Sequence, residues 1–307
     1  MGRTGTSLSV NIAGISLSTP VLPASGTFGY GDELVETLDY AYIGAIVTKT
    51  ITMRPRQGNP QPRIWELESG LINSIGLQNI GAERFKKEKL PSLKKIGKPV
   101  IVSVGGESKE EILGTLEYLC SDAVAAFELN LSCPNLGTGR IVAEDAKAVS
   151  DVVATARSMT DIPIIVKLSP NVSDMVEIGV AAQKSGADAL CVANTYKGLF
   201  FDRKMNKFHS GGISGDMIFP MTLRHVYDLY PHIDIPIIGL GGINSGERAL
   251  EMFFAGSSAV AIGTGLALNP GLPMEICRFL EEYLAFNGIR SVSKLTGSRN
   301  EKKETAV

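Results

Sequence analysis

With 307 residues, of which 44% are apolar and 20% charged, the chain has enough apolar material for one large α/β barrel or two medium domains. Its formal charge of −2 offers no electrostatic surface for nucleic acid. No apolar run reaches the ~20 residues of a bilayer crossing and no secretory signal precedes the first strand, so a cytoplasmic protein with neither membrane nor nucleic-acid partners is expected.

In chain order, Leu8 to Ile12 and Ile15 to Leu17, joined by Ala13-Gly14, predict a short N-terminal hairpin. Pro20 to Pro23 is a first strand, leading into Ala24-Ser25-Gly26-Thr27 and a helix over 32–40. Gly44 to Lys49 is a second strand. Residues 50–80 exceed an ordinary connection and predict an insertion with its own hairpins over the mouth of a site. A helix over 81–96 leads to a third strand, Pro99 to Val104, and a helix from Lys109 to Cys120. The fourth strand spans 123–131. Helices at Asp145 to Met159 and Ser173 to Lys184 flank a fifth strand, Pro163 to Leu168. Asp188 to Ala193 is the sixth strand, a second long loop covers roughly 196–214, and a helix spans 216–230. Pro236 to Leu240 and Ala259 to Ile262 are the seventh and eighth strands, separated by a helix from Gly246 to Ala255. A closing helix lies near 273–286.

Strands such as Pro163-Ile164-Ile165-Val166 are continuously apolar, as parallel strands covered on both faces must be. Eight strand–helix units at this length predict an α/β fold of the (β/α)8 type, a TIM barrel with an N-terminal hairpin and insertions at its C-terminal face. One domain over 1–295 is expected, with 296–307 a polar, frayed tail.

Active sites of such barrels lie at the C-terminal ends of the strands. Those ends read Ala24-Ser25-Gly26-Thr27, Thr48-Lys49-Thr50, Ser103, Asn130 with Cys133, Lys167, Asn194-Thr195, Gly241-Gly242 and Gly263-Thr264. Two lysines and several amides thus converge on one mouth. The last two, glycine-rich ends suit a phosphate, since glycine lets backbone N–H groups approach an anion. Lys49 and Lys167 each admit three roles: Schiff-base nucleophile, fixed cation or snorkelling side chain. Two lysines facing one mouth favour charge stabilisation. Cys133, in Asn130-Leu131-Ser132-Cys133-Pro134-Asn135, is either an inert thiol or, if a cation lowers its pKa, a base or nucleophile. Its place at a strand end favours the functional role. The four cysteines (Cys120, Cys133, Cys191 and Cys277) are dispersed, with no C-x-x-C pair. That fits a reducing cytosol and predicts no metal or iron–sulfur site within the chain.

The motifs Ala24-Ser25-Gly26, Arg56-Gln57-Gly58-Asn59-Pro60, Asn73-Ser74-Ile75-Gly76-Leu77-Gln78-Asn79, Asn130 to Asn135, Lys167-Leu168-Ser169-Pro170-Asn171 and Gly239-Leu240-Gly241-Gly242 occur in order over nearly the whole chain. Together they resemble the class 1B dihydroorotate dehydrogenases. The resemblance implies an FMN-dependent barrel that oxidises (S)-dihydroorotate to orotate in pyrimidine synthesis. It further implies a partner subunit carrying FAD and a 2Fe–2S cluster that passes electrons to NAD, in a homo-oligomer or heterotetramer. Cys133 would be the base at C5 of the substrate. Lys49, Asn73, Asn130, Asn194 and Thr195, with the segment Ser74, Ile75, Gly76 and Leu77, would hold the substrate. FMN would contact Ser25, Lys49, Thr50, Ser103, Asn130, Lys167, Ala193, Gly215, Gly241, Gly242, Gly263 and Thr264. Ser103 stands where the family usually carries asparagine, and Leu136 to Arg140 departs from the family's lid pattern. Two alternatives stay open: a related flavin enzyme acting on another dihydropyrimidine, and a non-redox Schiff-base aldolase barrel.

Overall fold

A computed structural model describes residues 5–131 and 142–301. The expected base, Cys133, lies outside the described residues.

The strands, in chain order, are β1 (Val10–Ile12), β2 (Ile15–Leu17), β3 (Val21–Pro23), β4 (Ile46–Val47), β5 (Ile64–Leu67), β6 (Gly70–Asn73), β7 (Val100–Val104), β8 (Ala126–Asn130), β9 (Ile164–Lys167), β10 (Ala189–Val192), β11 (Tyr196–Asp202), β12 (Lys207–Ser214), β13 (Ile237–Leu240) and β14 (Ala259–Ile262). β1 and β2 form the predicted antiparallel hairpin. Eight strands form one parallel sheet in the order β3-β14-β13-β10-β9-β8-β7-β4. The Gly44 N–H donates to the Val21 carbonyl at 2.8 Å, bringing β4 back to β3. The result is a nearly closed (β/α)8 barrel.

The apolar runs account for it. Ile164, Ile165 and Val166 are all buried, and burying such a side chain stabilises by about 1.5–3 kcal/mol relative to exposing it. Helices between the strands start at capping side chains: Ser108 accepts from the Glu111 N–H, Asp145 from Ala148, Asp174 from Val176 and Glu177, and Ser245 from Arg248. Each satisfies an N–H that the helix leaves unpaired.

Three local expectations need correction. Residues 32–40 do not form a helix; the described backbone there turns, with a single 3-10 turn at Tyr40–Tyr42. The acids that would have opened a helix are engaged elsewhere. Glu33 accepts from the Tyr30 and Gly31 N–H groups, and Lys89 bonds both Asp32 and Glu33. The helix over 81–96 widens into a π turn at Phe85–Lys89. Pro91, just beyond, has no N–H to give the carbonyl four residues back and crowds it. The stretch 196–214 is a hairpin and not a loop: β11 pairs antiparallel with β12 from Tyr196↔Ile213 to Asp202↔Lys207.

That hairpin does more than cross the surface. β12 also pairs with β6, so both insertions join in one four-stranded sheet, β11-β12-β6-β5. Trp65, Phe200 and His209 pack together on one of its faces, with ring centroids 4.4–5.4 Å apart. The insertion predicted over 50–80 therefore carries its hairpin, β5–β6. In the C-terminal segment, Asn300 is 2% exposed and its amide donates to the Tyr227 and Ala255 carbonyls at 2.8 Å.

Candidate active site

Two sets of hydrogen bonds cross the barrel mouth. In the first, the Asn130 amide at the end of β8 donates to Thr50 Oγ1 at 3.1 Å, and Thr50 and Ser103 hydroxyls lie 3.0 Å apart. The Asn194 amide, after β10, reaches Asn130 Oδ1 at 3.5 Å, and its own Oδ1 accepts from the Thr195 N–H at 2.8 Å. Residues of β7 and β8 are thereby linked to residues following β4 and β10. In the second set, Lys167 Nζ at the end of β9 donates to Ser25 Oγ after β3, at 3.0 Å. Lys167 is 4% exposed, and an ammonium has three donors, so this bond leaves capacity for a further acceptor at the mouth.

Lys49 sits at the same mouth, after β4. Among the described residues its ammonium makes no hydrogen bond or ion pair. Burial holds its pKa below the ordinary lysine value, and the Arg63 charge adds to that effect while Glu33 opposes it. A half-buried cation that forms no ion pair within the described residues can receive an anion. A cavity of about 450 Å³ opens beside it, lined also by Tyr30, Arg56, Gln57, Gln78 and Ile80.

The segment 74–77 follows β6. Asn73 Nδ2 donates to the Gly212 carbonyl at 3.2 Å, tying β6 to β12. Ser74 N donates to Arg63 O at 2.8 Å, and Asn59 N to Ile75 O at 2.9 Å. The Asn59 amide bonds both the Ser74 carbonyl and its hydroxyl. Gly76 and Leu77 have φ of +73° and +52°. For a leucine that conformation costs roughly 1–2 kcal/mol and must be held by its surroundings. Asn79 holds it: 5% exposed, it donates to the Leu77 carbonyl at 2.8 Å and to Thr52 Oγ1 at 2.7 Å. Its Oδ1 accepts from the Gly81 and Thr52 N–H groups.

The other ends complete the rim. Ala193 is buried and its N–H donates to Leu240 O at 2.9 Å, holding β10 to β13. Thr264 Oγ1 donates to Ser214 Oγ at 2.9 Å, joining the end of β14 to the insertion sheet, and Gly215 follows directly. Gly241 and Gly242 follow β13 with φ of +123° and +72°. Thr222 Oγ1 donates to the Gly241 carbonyl at 2.8 Å and Arg248 Nη1 to that of Gly242 at 2.7 Å. At Gly263 a Cβ would meet nothing nearer than 3.6 Å, leaving the end of β14 open. Amide, hydroxyl and ammonium groups thus lie on one side of the mouth and glycine-rich backbone on the other. That donor set fits a flat heterocycle carrying a phosphate.

All the predicted site residues within the described part lie at the strand ends or on the insertion walls. Four further residues now join them. Asn59 and Asn79 stand inside quoted motifs, and their place among turn residues is the available signal. Ser214 carried none. Glu128 lies inside the strand expected over 123–131 but carries no sequence signal of a site; in the structure it is 5% exposed inside β8. Among the described residues there is no group of three metal-ligating side chains, and no helix long and apolar enough to cross a membrane.

The family model for dihydroorotate dehydrogenase matches residues 7–284. A relative from Endomicrobium trichonymphae, named dihydroorotate dehydrogenase B (NAD(+)), catalytic subunit, is 47% identical over 298 residues, 95% of this chain and 97% of the relative. Proteins of the same name from Geobacter sulfurreducens and Caldicellulosiruptor bescii are 45% and 43% identical, each over 95% of this chain and covering 97% and 99% of the relative. With a family model spanning nearly its whole length and relatives this similar, the chain belongs to the dihydroorotate dehydrogenase family.

Proposed function

We propose that this chain oxidises (S)-dihydroorotate to orotate in pyrimidine synthesis, with FMN as its bound electron acceptor. The observation that carries the reading is the convergence of the Lys167–Ser25 and Ser103–Thr50–Asn130–Asn194 hydrogen bonds on a mouth where the Lys49 ammonium makes no ion pair within the described residues. FMN supplies a hydride acceptor, which no side chain can be.

The residues divide the remaining work. Lys49 faces the carboxylate of the substrate, and the backbone of Ser74 to Leu77 shares that anion. Asn73, Asn130, Asn194 and Thr195 bind the pyrimidine ring, because an amide offers both donor and acceptor to alternating C=O and N–H groups. Cys133 removes the proton from C5. Lys167 places positive charge against the flavin ring, with Ser25, Thr50, Ser103 and Ala193 around it. Gly215, Gly241, Gly242, Gly263 and Thr264 receive the phosphate end. The relatives' names make them catalytic subunits of an NAD-linked enzyme. On that likeness we assign this chain a separate electron-transfer partner carrying FAD and a 2Fe–2S cluster.

Purified protein reconstituted with FMN should be yellow, and anaerobic dihydroorotate should bleach it. A protein that stays colourless after reconstitution overturns the reading. Bleaching by another dihydropyrimidine but not by dihydroorotate would reassign the substrate. A second test addresses the 74–77 segment. Asn79→Ala removes a buried amide with four hydrogen bonds, and leaving buried partners unsatisfied costs about 1–3 kcal/mol per group. The variant should melt at a lower temperature and show a raised KM for dihydroorotate, with FMN affinity nearly unchanged; equal losses of both affinities would reject this role.

A further inference from the structure

Glu128 and Lys167 are the only charged side chains buried among the described residues, at 5% and 4% exposure. They belong to adjacent strands. Asn130 on β8 pairs directly with Lys167 on β9. Glu128, two residues before Asn130, projects from the same face of the strand, one row deeper in the barrel. The two charges are opposite and close, yet no ion pair joins them. Lys167 turns up to Ser25 instead. Glu128 Oε1 has no hydrogen-bond partner among the described residues.

Cys191 registers both charges. It pairs with Lys167 across β9 and β10. Burial pushes its thiol pKa up, the Glu128 charge and a hydrogen bond to the Glu128 side chain add to the rise, and the Lys167 charge opposes it. For stability alone the arrangement is a poor one. A buried carboxylate with an unfilled acceptor is expensive, and either an apolar side chain or a direct ion pair would be cheaper. The cost makes sense if the cation must face the mouth while an anion stays beneath it.

We propose that Glu128 is a positioning residue whose fixed negative charge, acting beneath Lys167, sets the balance between oxidised and reduced flavin. The proposal rests on the FMN reading above. Two-electron reduction places negative charge on the ring. Lys167 favours that charge and Glu128 opposes it, so the pair moderates the pull of a lone buried cation. Direct pairing would turn the lysine away from the ring; separation keeps its donors at the mouth.

The test is the midpoint potential of bound FMN, measured by anaerobic dye equilibration in the FMN-loaded protein. In Glu128→Gln the lysine is unopposed, and the ratio of reduced to oxidised flavin at a given poise should rise about tenfold, a positive shift of about 30 mV for a two-electron couple. Glu128→Asp, which keeps the charge, should stay near the wild-type potential. A Gln variant that binds FMN with an unchanged or lowered potential overturns the proposal, as does an Asp variant that shifts as far as the Gln variant. Should Glu128→Gln fail to fold, the wild type still decides. With 13C-labelled glutamate, the infrared difference spectrum on flavin reduction should carry a shifted carboxylate band from a buried glutamate, and a spectrum without one overturns the proposal. Wild-type protein that takes up no FMN would overturn the functional reading and this inference together. Wild type that holds FMN beside an unshifted Gln variant rejects this inference alone.

Discussion

Cys133→Ala should slow the reduction of bound FMN by dihydroorotate about 10²–10⁴-fold at neutral pH, the range associated with losing a positioned general base. FMN should remain bound, because all the groups assigned to it except Asn130 lie on other segments. Stopped-flow absorbance under anaerobic conditions reads both quantities. The wild-type rate should climb with pH as the thiol ionises, an event centred near ~8.5 for an unperturbed cysteine. The alanine variant should lack that limb. A loss below tenfold would remove Cys133 from the role. Its position supports the assignment: it stands three residues after Asn130, whose amide is fixed on Thr50 at 3.1 Å.

Gly242→Ala should damage both the fold and FMN binding. With φ of +72° at this position, an added Cβ would lie 2.6 Å from Phe219 N and 2.7 Å from its Cα, atoms of the preceding helix, Phe219–Leu229. A left-handed conformation costs a residue with a Cβ roughly 1–2 kcal/mol, and overpacking against rigid neighbours adds about 1–3 kcal/mol. The loop has little freedom to retreat. Thr222 holds the Gly241 carbonyl and Arg248 that of Gly242. We expect a total of roughly 2–5 kcal/mol, shared between stability and FMN affinity. Thermal melting with and without FMN separates the shares. Gly288→Ala is the control: φ there is +66° with nothing within 4 Å, so only strain applies, and FMN affinity should not change. Equal behaviour of the two variants would refute the packing argument.

Much of this architecture was legible from the chain because its signals are local. Ile164 to Val166 reads as a strand buried on both faces, and it is one. The rule that barrel sites gather at strand ends brings Ser25, Lys49, Asn130, Lys167 and Asn194 to one mouth from the sequence alone. What escaped depends on partners far away in sequence. Residues 32–40 look helical until Lys89 claims their acids. The hairpin 196–214 has an alternating pattern, but Gly198, Gly211 and Gly212 blur it; its turn is marked by Asn206 at φ +48°. Glu128 was hidden for a different reason. The strand expected over 123–131 passes through it, but sequence rules keep an acid exposed, because burying one is normally too costly.

The ring of strands also bears on how the molecule is made. β3 finds its neighbour in β14, with Val21 opposite Val260, while its other flank meets the Gly44 end of β4. The first barrel strand thus waits for a partner some 240 positions later in the chain. Pairings this distant in sequence are entropically slow to find, since the loop between them must close before the contact forms. Ser25 and Lys167, which meet across 142 positions, share that delay. Flavin fluorescence quenching during refolding should therefore report completion of the whole barrel and not the docking of any one part, making the cofactor a built-in clock for the last step of folding.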